Sequence, residues 1–334
     1  MTNTQMQGTR LGGTGPTVGR IGFGAMGLSG TYGPADEAES IATIHAVLDS
    51  GTGLIDTGDF YGSGHNEMLV GRAIAGRARE EITLSVKFGG MLGPDMSWQG
   101  MDTRPAAVKN FLSYSLRRLG VDYIDIYRPA RLDPAVPIED TVGAIAELIE
   151  AGYVRHIGLS EVGAETLRRA SAVHPITDLQ VEYSLFTRGI EAEILPVCRE
   201  LGIGITAYGV LSRGLLTDSL RGATAVADFR AGTPRFQGEN LAANLKLVDT
   251  LAGLAAQKGV TTAQLAIAWV LSRGDDIVPL IGTRSARRWA ESIAAAAVSL
   301  TPAEQEAIAE AVPAAAVNGS RYPEPLMATL DSER

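Results

Sequence analysis

The stretch Gly53 to Glu67, GLIDTGDFYGSGHNE, holds the residues of this chain best suited to chemistry. A short apolar run, Leu54-Ile55, delivers an acid, Asp56. Tyr61 follows five residues later, and Gly62-Ser63-Gly64 makes a loop before Asn66-Glu67 opens a helical pattern. An acid at a strand end and a phenol on the next loop can hold and move a proton, and rigid elements fix such loops. The same residues also fit a plainer arrangement, with Asp56 capping a turn and Tyr61 a rim aromatic. Lys87 closes a second apolar strand, ITLSVK, and a buried ammonium needs a partner. Paired with Asp56 and beside Tyr61, Lys87 would favour tyrosinate and lower the phenol pKa, making Tyr61 a usable general acid. Otherwise the Asp56–Lys87 pair is a structural bridge.

The elements around these residues alternate regularly. Strands are predicted at Gly53–Asp56, Ile82–Lys87, Tyr123–Tyr127, Val154–Ser160, Leu179–Glu182, Gly204–Tyr208 and Ile277–Ile281, with an earlier one near residue 21. Helices are predicted at Asp36–Ser50, Glu67–Ala75, Arg104–Leu119, Ile138–Ala151, Ala164–Ala170, Glu191–Leu201, Asn240–Lys258 and Thr262–Ser272. Two more fall near Arg287–Ala297 and at Pro302–Ala311, the latter opened by a Thr301-Pro302 cap. Arg10 to Arg20 reads as a β-hairpin, and Phe88–Thr103 and Leu215–Glu239 read as long loops. Strand–helix alternation implies a parallel sheet with right-handed crossovers. Eight such units without a composition break predict one α/β domain over residues 1–334, a (β/α)8 TIM barrel with an N-terminal β-hairpin and extra C-terminal helices.

Gly22-Phe23-Gly24-Ala25-Met26-Gly27 matches a GxGxxG string, with Asp56 ending the next strand, which is the layout of a Rossmann dinucleotide site. That motif needs a helix opening at its glycines. Here LSGTYGPA intervenes, and the acid lies 29 residues past Gly27 rather than the roughly 20 expected. The string is therefore read as a decoy.

The chain has 334 residues, 45% hydrophobic and 20% charged, with a net charge of -9. An acidic surface disfavours nucleic-acid and anionic-membrane binding. Cys198, the single cysteine, lies on a predicted helix and reads as a buried inert thiol. The N-terminal MTNTQMQGTR has no apolar core of a signal peptide, and no apolar run reaches spanning length. The expectation is a cytoplasmic protein without a metal ion, its oligomeric state open.

A barrel of this type carries its active site at the C-terminal strand ends. These are Asp56 with Tyr61, Lys87, the loop after Tyr127, Ser160-Glu161, Gln180 to Tyr183, Tyr208 and Gly282-Thr283-Arg284. Arg284-Ser285-Ala286-Arg287-Arg288 follows the eighth strand, where this fold often binds phosphate at a helix N-terminus. On an acidic protein it suggests an anion site, although a solvated basic turn has the same composition.

Several strings together carry a family resemblance. They are GFGAMGLSGTYGPADEAESI, LIDTGDFYGSGHNE, the strand ending in Lys87, DPAVPIEDTVGAIAELIEAGYVRHIGLSEV, LQVEYSLFTRGIE, AYGVLSRGLL and VPLIGTRSARR. The chain resembles the aldo-keto reductases over nearly its whole length, and within them the NADPH-using bacterial and plant branch. The resemblance implies NADPH extended across the C-terminal face and hydride transfer from nicotinamide C4 to an aldehyde or ketone. It implies that Tyr61 is the proton donor, tuned by Lys87 and Asp56. Ser160 and Gln180 would hold the nicotinamide amide, and Tyr208 would stack on its ring. Ala25, Met26, Asp56 and Gly209 would join that cradle, and Leu211, Ser212 and Arg213 would line the pyrophosphate. Gly282, Thr283, Arg284 and Arg288 would hold the 2′-phosphate, with Glu291 and Ser292 toward the adenine. Ser292 and Ser285 stand where the family usually has asparagine and often a second basic residue. Tyr32, Phe60, Trp98 and Phe236 are candidates for an apolar substrate wall.

One departure bears on the chemistry. The family's histidine after the fourth strand lies in a string YxxHRxDPxxPIE, which here reads YRPARLDPAVPIE, so Ala130 stands in its place within the substrate site. His65 is the nearest histidine in sequence to Tyr61, while His45, His156 and His174 fall on or beside other elements. A water, Arg128 or Arg131 is left to supply the carbonyl donor, or the wider pocket suits another acceptor. The leading function is an NADPH-dependent reductase of a small-molecule carbonyl. The alternative is an NADPH-binding regulatory subunit with weak or no reductase activity.

Overall fold

In the computed structural model, which describes residues 8–334, eight parallel strands close into a barrel. The chain begins with an antiparallel hairpin, β1 (Gly8–Arg10) and β2 (Thr17–Gly19), as its glycine-rich turn predicts. The first barrel strand is β3 (Gly22–Gly24), followed by β4 (Leu54–Gly58) and β5 (Thr83–Phe88). A second hairpin, β6 (Gly90–Leu92) and β7 (Trp98–Met101), stands outside the barrel. The remaining barrel strands are β8 (Ile124–Pro129), β9 (Val154–Ser160), β10 (Ile176–Glu182), β11 (Gly204–Tyr208) and β12 (Ile277–Ile281). Strand β12 pairs with β3 to close the circle. β4, β5, β10 and β12 are buried throughout, because helices cover the outer face and side chains fill the inner one.

The helices are α1 (Glu37–Asp49), α2 (His65–Ile74), α3 (Pro105–Leu119), α4 (Ile138–Glu150), α5 (Ala164–Val173), α6 (Ile194–Leu201), α7 (Gly238–Lys258), α8 (Thr262–Leu271), α9 (Ala286–Ile293), α10 (Pro302–Ala311) and α11 (Glu324–Met327). Thr301 caps α10 as predicted, its Oγ1 accepting from Glu304 N at 3.3 Å while the Glu304 carboxylate accepts from Thr301 N at 2.8 Å. Each such cap is worth about 1 kcal/mol.

The GxGxxG string opens no α-helix. β3 runs into a 3-10 turn at Ala25–Ser29, and α1 begins only at Glu37. Gly22 serves packing instead: a Cβ there would lie 2.6 Å from Leu280 Cδ2 and 2.8 Å from Leu54 Cδ2. Two readings need correction. Phe88–Thr103 is a hairpin rather than an open loop, and Leu215–Glu239 is broken by short 3-10 turns at Asp218–Leu220, Phe229–Gly232 and Pro234–Phe236. Predicted boundaries also shift by one to three residues: β10 begins at Ile176 rather than Leu179, α5 runs to Val173 rather than Ala170, α6 begins at Ile194 rather than Glu191, and β4 continues past Asp56 to Gly58. No helix among the described residues is long and apolar enough to cross a membrane.

Candidate active site

Register sets the site. Asp56 lies opposite Ser85 and Gly58 opposite Lys87 on β4 and β5, while Lys87 faces Arg128 on β8. These inward side chains meet at the barrel mouth. Lys87 Nζ forms an ion pair with Asp56 and donates to Gln180 Oε1 at 2.8 Å. Gln180 Nε2 donates to Asp56 Oδ1 at 2.8 Å, and Ser85 Oγ donates to the same oxygen at 2.9 Å. Asp56 and Lys87 are both nearly fully buried.

Tyr61 stands over this cluster, its ring centroid 5.3 Å from Lys87 Nζ. Left-handed Gly62, Ser63 and Gly64 fold the loop back, and Ser63 is the residue that bears strain there. Buried Asn66 pins it: its Nδ2 donates to Ala25 O at 2.9 Å and Ser29 Oγ at 2.7 Å, and its Oδ1 accepts from Thr57 Oγ1 at 2.6 Å. Phe60 meets Tyr61 edge-on at 4.8 Å and Trp98 at 5.8 Å, so this wall of the pocket is aromatic. Beneath the loop Asp59 is pushed up to about 7, first by burial and then by Glu67.

The expected lowering of the Tyr61 pKa does not occur. Burial, reinforced by the Asp56 carboxylate, pushes the phenol well above its ordinary value. Burial likewise pulls Lys87 down to about 8, against the opposing pull of Asp56. A phenol that stays protonated needs no cation to keep its proton, but an ammonium at Lys87 would stabilise the oxyanion left if the phenol gave its proton away. Any proton donation by Tyr61 that leans on this ammonium should therefore fall as pH rises through about 8, where Lys87 loses its proton. Removing the opposing charge with Asp56→Asn should move that falling limb to lower pH, which a pH profile of kcat/KM reads directly.

The cofactor candidates divide into three groups. Ser160, Gln180 and Tyr208 stand on consecutive barrel strands at the rim, but Gln180 is held by Lys87 and Asp56 through both ends of its amide. The Tyr208 hydroxyl donates to Glu161 Oε1 at 2.6 Å and lies 3.2 Å from Tyr322 Oη. Leu211 to Arg213 follow in a tight turn in which Gly209, Ser212 and Arg213 are left-handed. Arg213 donates to Arg321 O and stacks 4.3 Å from the Tyr322 ring. Across the mouth Arg284 donates to Pro34 O at 2.7 Å and Gly33 O at 3.2 Å. Arg284 and Arg288 have no carboxylate partner among the described residues, whereas Gly282 sits so close that a Cβ would lie 3.1 Å from Gly24 O. Ser292 is buried and donates to Arg288 O at 2.9 Å, so only its acceptor lone pairs remain free, while Glu291 is half-buried on the same helix. Ala25 is fully buried and Met26 half-buried on the turn after β3.

Tyr32 packs on Phe229 at 5.1 Å, facing the long loop after β11. Phe236 is 3% exposed and belongs to the core, not to a pocket wall. Ala130 is buried where β8 ends. No histidine compensates: His65 hydrogen-bonds Ser29 Oγ at 2.9 Å, His45 meets Ala73 O at 3.0 Å, His174 meets Pro175 O at 2.9 Å, and His156 sits low on β9 opposite Ile126.

A buried charge network at the rim was not anticipated. Arg321, 2% exposed, pairs with fully buried Glu161, its Nη2 2.5 Å from Oε2. Burial alone would push Glu161 up, but Arg321 brings it down to about 2. Glu182 takes Arg235 at 3.2 Å and Arg213 at 3.5 Å. Glu161 and Glu182 are legible as strand-end residues, but Arg321 and Tyr322 lie in a tail, NGSRYPEP, with no periodic pattern to mark them.

The comparisons with known proteins agree with this fold. A model of the aldo/keto reductase family matches residues 20–313. The chain is 44% identical over 327 residues to a probable aldo-keto reductase 1 of Glycine max, covering 96% of this chain and 93% of that one. The glycerol dehydrogenase AKR11B4 of Gluconobacter oxydans superposes with a TM-score of 0.84 at 30% identity, covering 93% of this chain and 95% of the other. The holo form of the aldo-keto reductase AKR11C1 of Bacillus halodurans gives 0.78 at 25% identity, covering 98% and 100%. A family match over most of the barrel, a close full-length relative and two like structures lead to one conclusion: the chain belongs to the aldo/keto reductase family, oxidoreductases that act on carbonyl groups with a nicotinamide cofactor.

Proposed function

We propose that this chain, acting as one catalytic domain, is an NADPH-dependent reductase that converts an aldehyde or ketone to an alcohol, with Tyr61 as the proton donor. The observation that carries the reading is Tyr61 standing over the Lys87–Asp56–Gln180 cluster at the barrel mouth. When bound, the cofactor supplies the hydride. The chain's own part is to give the carbonyl oxygen a proton from the Tyr61 hydroxyl, and Lys87 holds the charge left there. Asp56 keeps Lys87 in place and favours its charged form.

The residues suit the phosphates of such a cofactor. Arg284 follows the C-terminal end of β12 and Arg288 lies in the first turn of α9, both without an acidic partner among the described residues. Arg213 sits at the strained turn after β11 and is the candidate for the pyrophosphate. Ser160, Gln180 and Tyr208 are the candidates for the nicotinamide, with Glu291 toward the adenine. Gln180 would exchange one of its present contacts to bind the amide. The substrate is proposed to lie against Phe60, Trp98, Tyr32 and Ala130.

The intact proton-donating cluster favours this reading over a regulatory subunit. A panel of aldehydes and ketones assayed with NADPH and NADH tests it. Arg284→Ala with Arg288→Ala should raise the KM for NADPH by about tenfold or more and leave that for NADH nearly unchanged, since charge-assisted phosphate contacts are worth at least that much. Equal effects on both cofactors would remove these arginines from the 2′-phosphate site.

A further inference from the structure

With Ala130 at the end of β8, two guanidiniums stand nearest to the position of the absent imidazole, and the structure separates them completely. Arg128 points into the barrel interior, fully buried on Asp178 at 2.9 and 3.0 Å. Arg131 lies beyond the strand, half-buried at the mouth. It donates to Ala130 O at 2.6 Å and weakly to Ser160 Oγ at 3.4 Å, and no carboxylate of the described residues lies within ion-pair distance.

The other mouth charges are matched. Lys87 has Asp56, Arg321 has Glu161, and Arg235 and Arg213 share Glu182. The cations Lys87, Arg131, Arg213, Arg235 and Arg321 thus face the acids Asp56, Glu161, Glu182 and Glu333, the last held by Arg321 at 2.8 Å. Arg213 lies on the side proposed for the pyrophosphate. The cation left without an ion-pair partner is Arg131, on the loop after β8, the strand flanked by those that carry Lys87 and Ser160; the acid whose charge reaches it, Glu161, is already held by Arg321. Its charge is felt at Tyr61, where it opposes the upward push on the phenol, and at Lys87. A half-buried guanidinium with no carboxylate in contact can take an anion brought from outside, and its planar fork matches a carboxylate through two parallel bonds.

We infer that Arg131 binds the carboxylate of the substrate, and that the preferred acceptors are 2-oxo acids, whose carboxylate is one bond from the carbonyl that Tyr61 must reach. The inference rests on the carbonyl-reductase reading. In the step, the carbonyl carbon gains a hydride from the dihydronicotinamide, the C=O π pair moves to oxygen, and Tyr61 gives that oxygen its proton. The 2-oxo acid leaves as a 2-hydroxy acid, reduced by two electrons, and the nicotinamide is oxidised by two. Ala130 puts a methyl where an imidazole would stand, which takes up less of the space beside Arg131.

The experiment compares benzoylformate, its neutral methyl ester and benzaldehyde. The unaltered enzyme should prefer benzoylformate to the ester by about tenfold or more in kcat/KM. Arg131→Met should cost about a hundredfold on benzoylformate, a loss typical of a buried charge pair broken at one end, and change the neutral acceptors less than about threefold. Arg131→Lys should recover part of the loss. Calorimetric binding of mandelate to the enzyme loaded with oxidised cofactor should weaken about tenfold or more in Arg131→Met. Ala130→His should raise turnover of benzaldehyde and lower that of benzoylformate. Reduction of benzaldehyde with no preference for the acid, or equal losses on all three acceptors in Arg131→Met, overturns the inference and leaves the reductase reading standing. No turnover of any acceptor with either nicotinamide overturns both.

Discussion

Tyr61→Phe is expected to lower kcat/KM for carbonyl reduction by about 10²–10⁴-fold, the range of a positioned general acid, while cofactor binding stays unchanged. The substitution isolates the chemistry. Among the described residues the Tyr61 hydroxyl has no protein hydrogen-bond partner and is not one of the fully buried orphaned polar atoms, so its removal strands nothing. The ring contacts with Phe60 at 4.8 Å and Lys87 at 5.3 Å survive in phenylalanine. Folding stability should change by less than about 0.5 kcal/mol, within the range of a substitution that breaks no buried network. Fluorescence titration with cofactor and steady-state rates with a neutral aldehyde give the two readouts. Turnover within a few-fold of the parent would remove Tyr61 as proton donor and move attention to water at the mouth.

The barrel is legible because parallel strands buried on both faces leave apolar runs that helical periodicity separates cleanly. Val154–Ser160, Gly204–Tyr208 and Ile277–Ile281 stand where the pattern puts them. β4 runs past Asp56 because Thr57 and Gly58 pair with Val86 and Lys87, and ladder register is invisible to local hydropathy. The hairpin after β5 is missed because WQGM and GML have no clean alternation, and left-handed Met96 at its turn carries no glycine signal. The Asp56–Lys87 pair follows from the expense of burying a lone charge. The role of Gln180 does not, since it joins the pair from 93 residues past Lys87. Arg128 and Arg131 are alike in type and three residues apart, yet strand parity turns one into the interior and the loop leaves the other at the rim.

Arg128 is the residue on which the largest stability effect is expected. It is fully buried, as is Asp178, and the two form a bidentate pair inside the barrel. Ser85 Oγ accepts from Arg128 Nη2 at 3.0 Å, Leu159 O accepts from Nη1 at 3.2 Å, and Thr206 Oγ1 donates to Asp178 Oδ2 at 2.6 Å. Gly158 makes the room: a Cβ there would lie 2.7 Å from Asp178 Oδ1 and 2.9 Å from Arg128 Cζ. Removing one partner strands the other's charge in the interior, where its desolvation is no longer offset. Arg128→Met or Asp178→Ala should each destabilise the fold by about 3–5 kcal/mol in chemical denaturation. Replacing both with apolar residues of similar volume should recover most of that loss, because the pair's attraction and its desolvation nearly cancel. The effect should also reach the mouth. Ser85 joins Arg128 to Asp56, so Arg128→Met frees that hydroxyl and removes a cation that helps hold the Lys87 pKa down. The falling limb of the pH profile should then move upward, opposite to its shift in Asp56→Asn. A single variant within about 1 kcal/mol of the parent would mean that water reaches the barrel interior and screens the stranded charge.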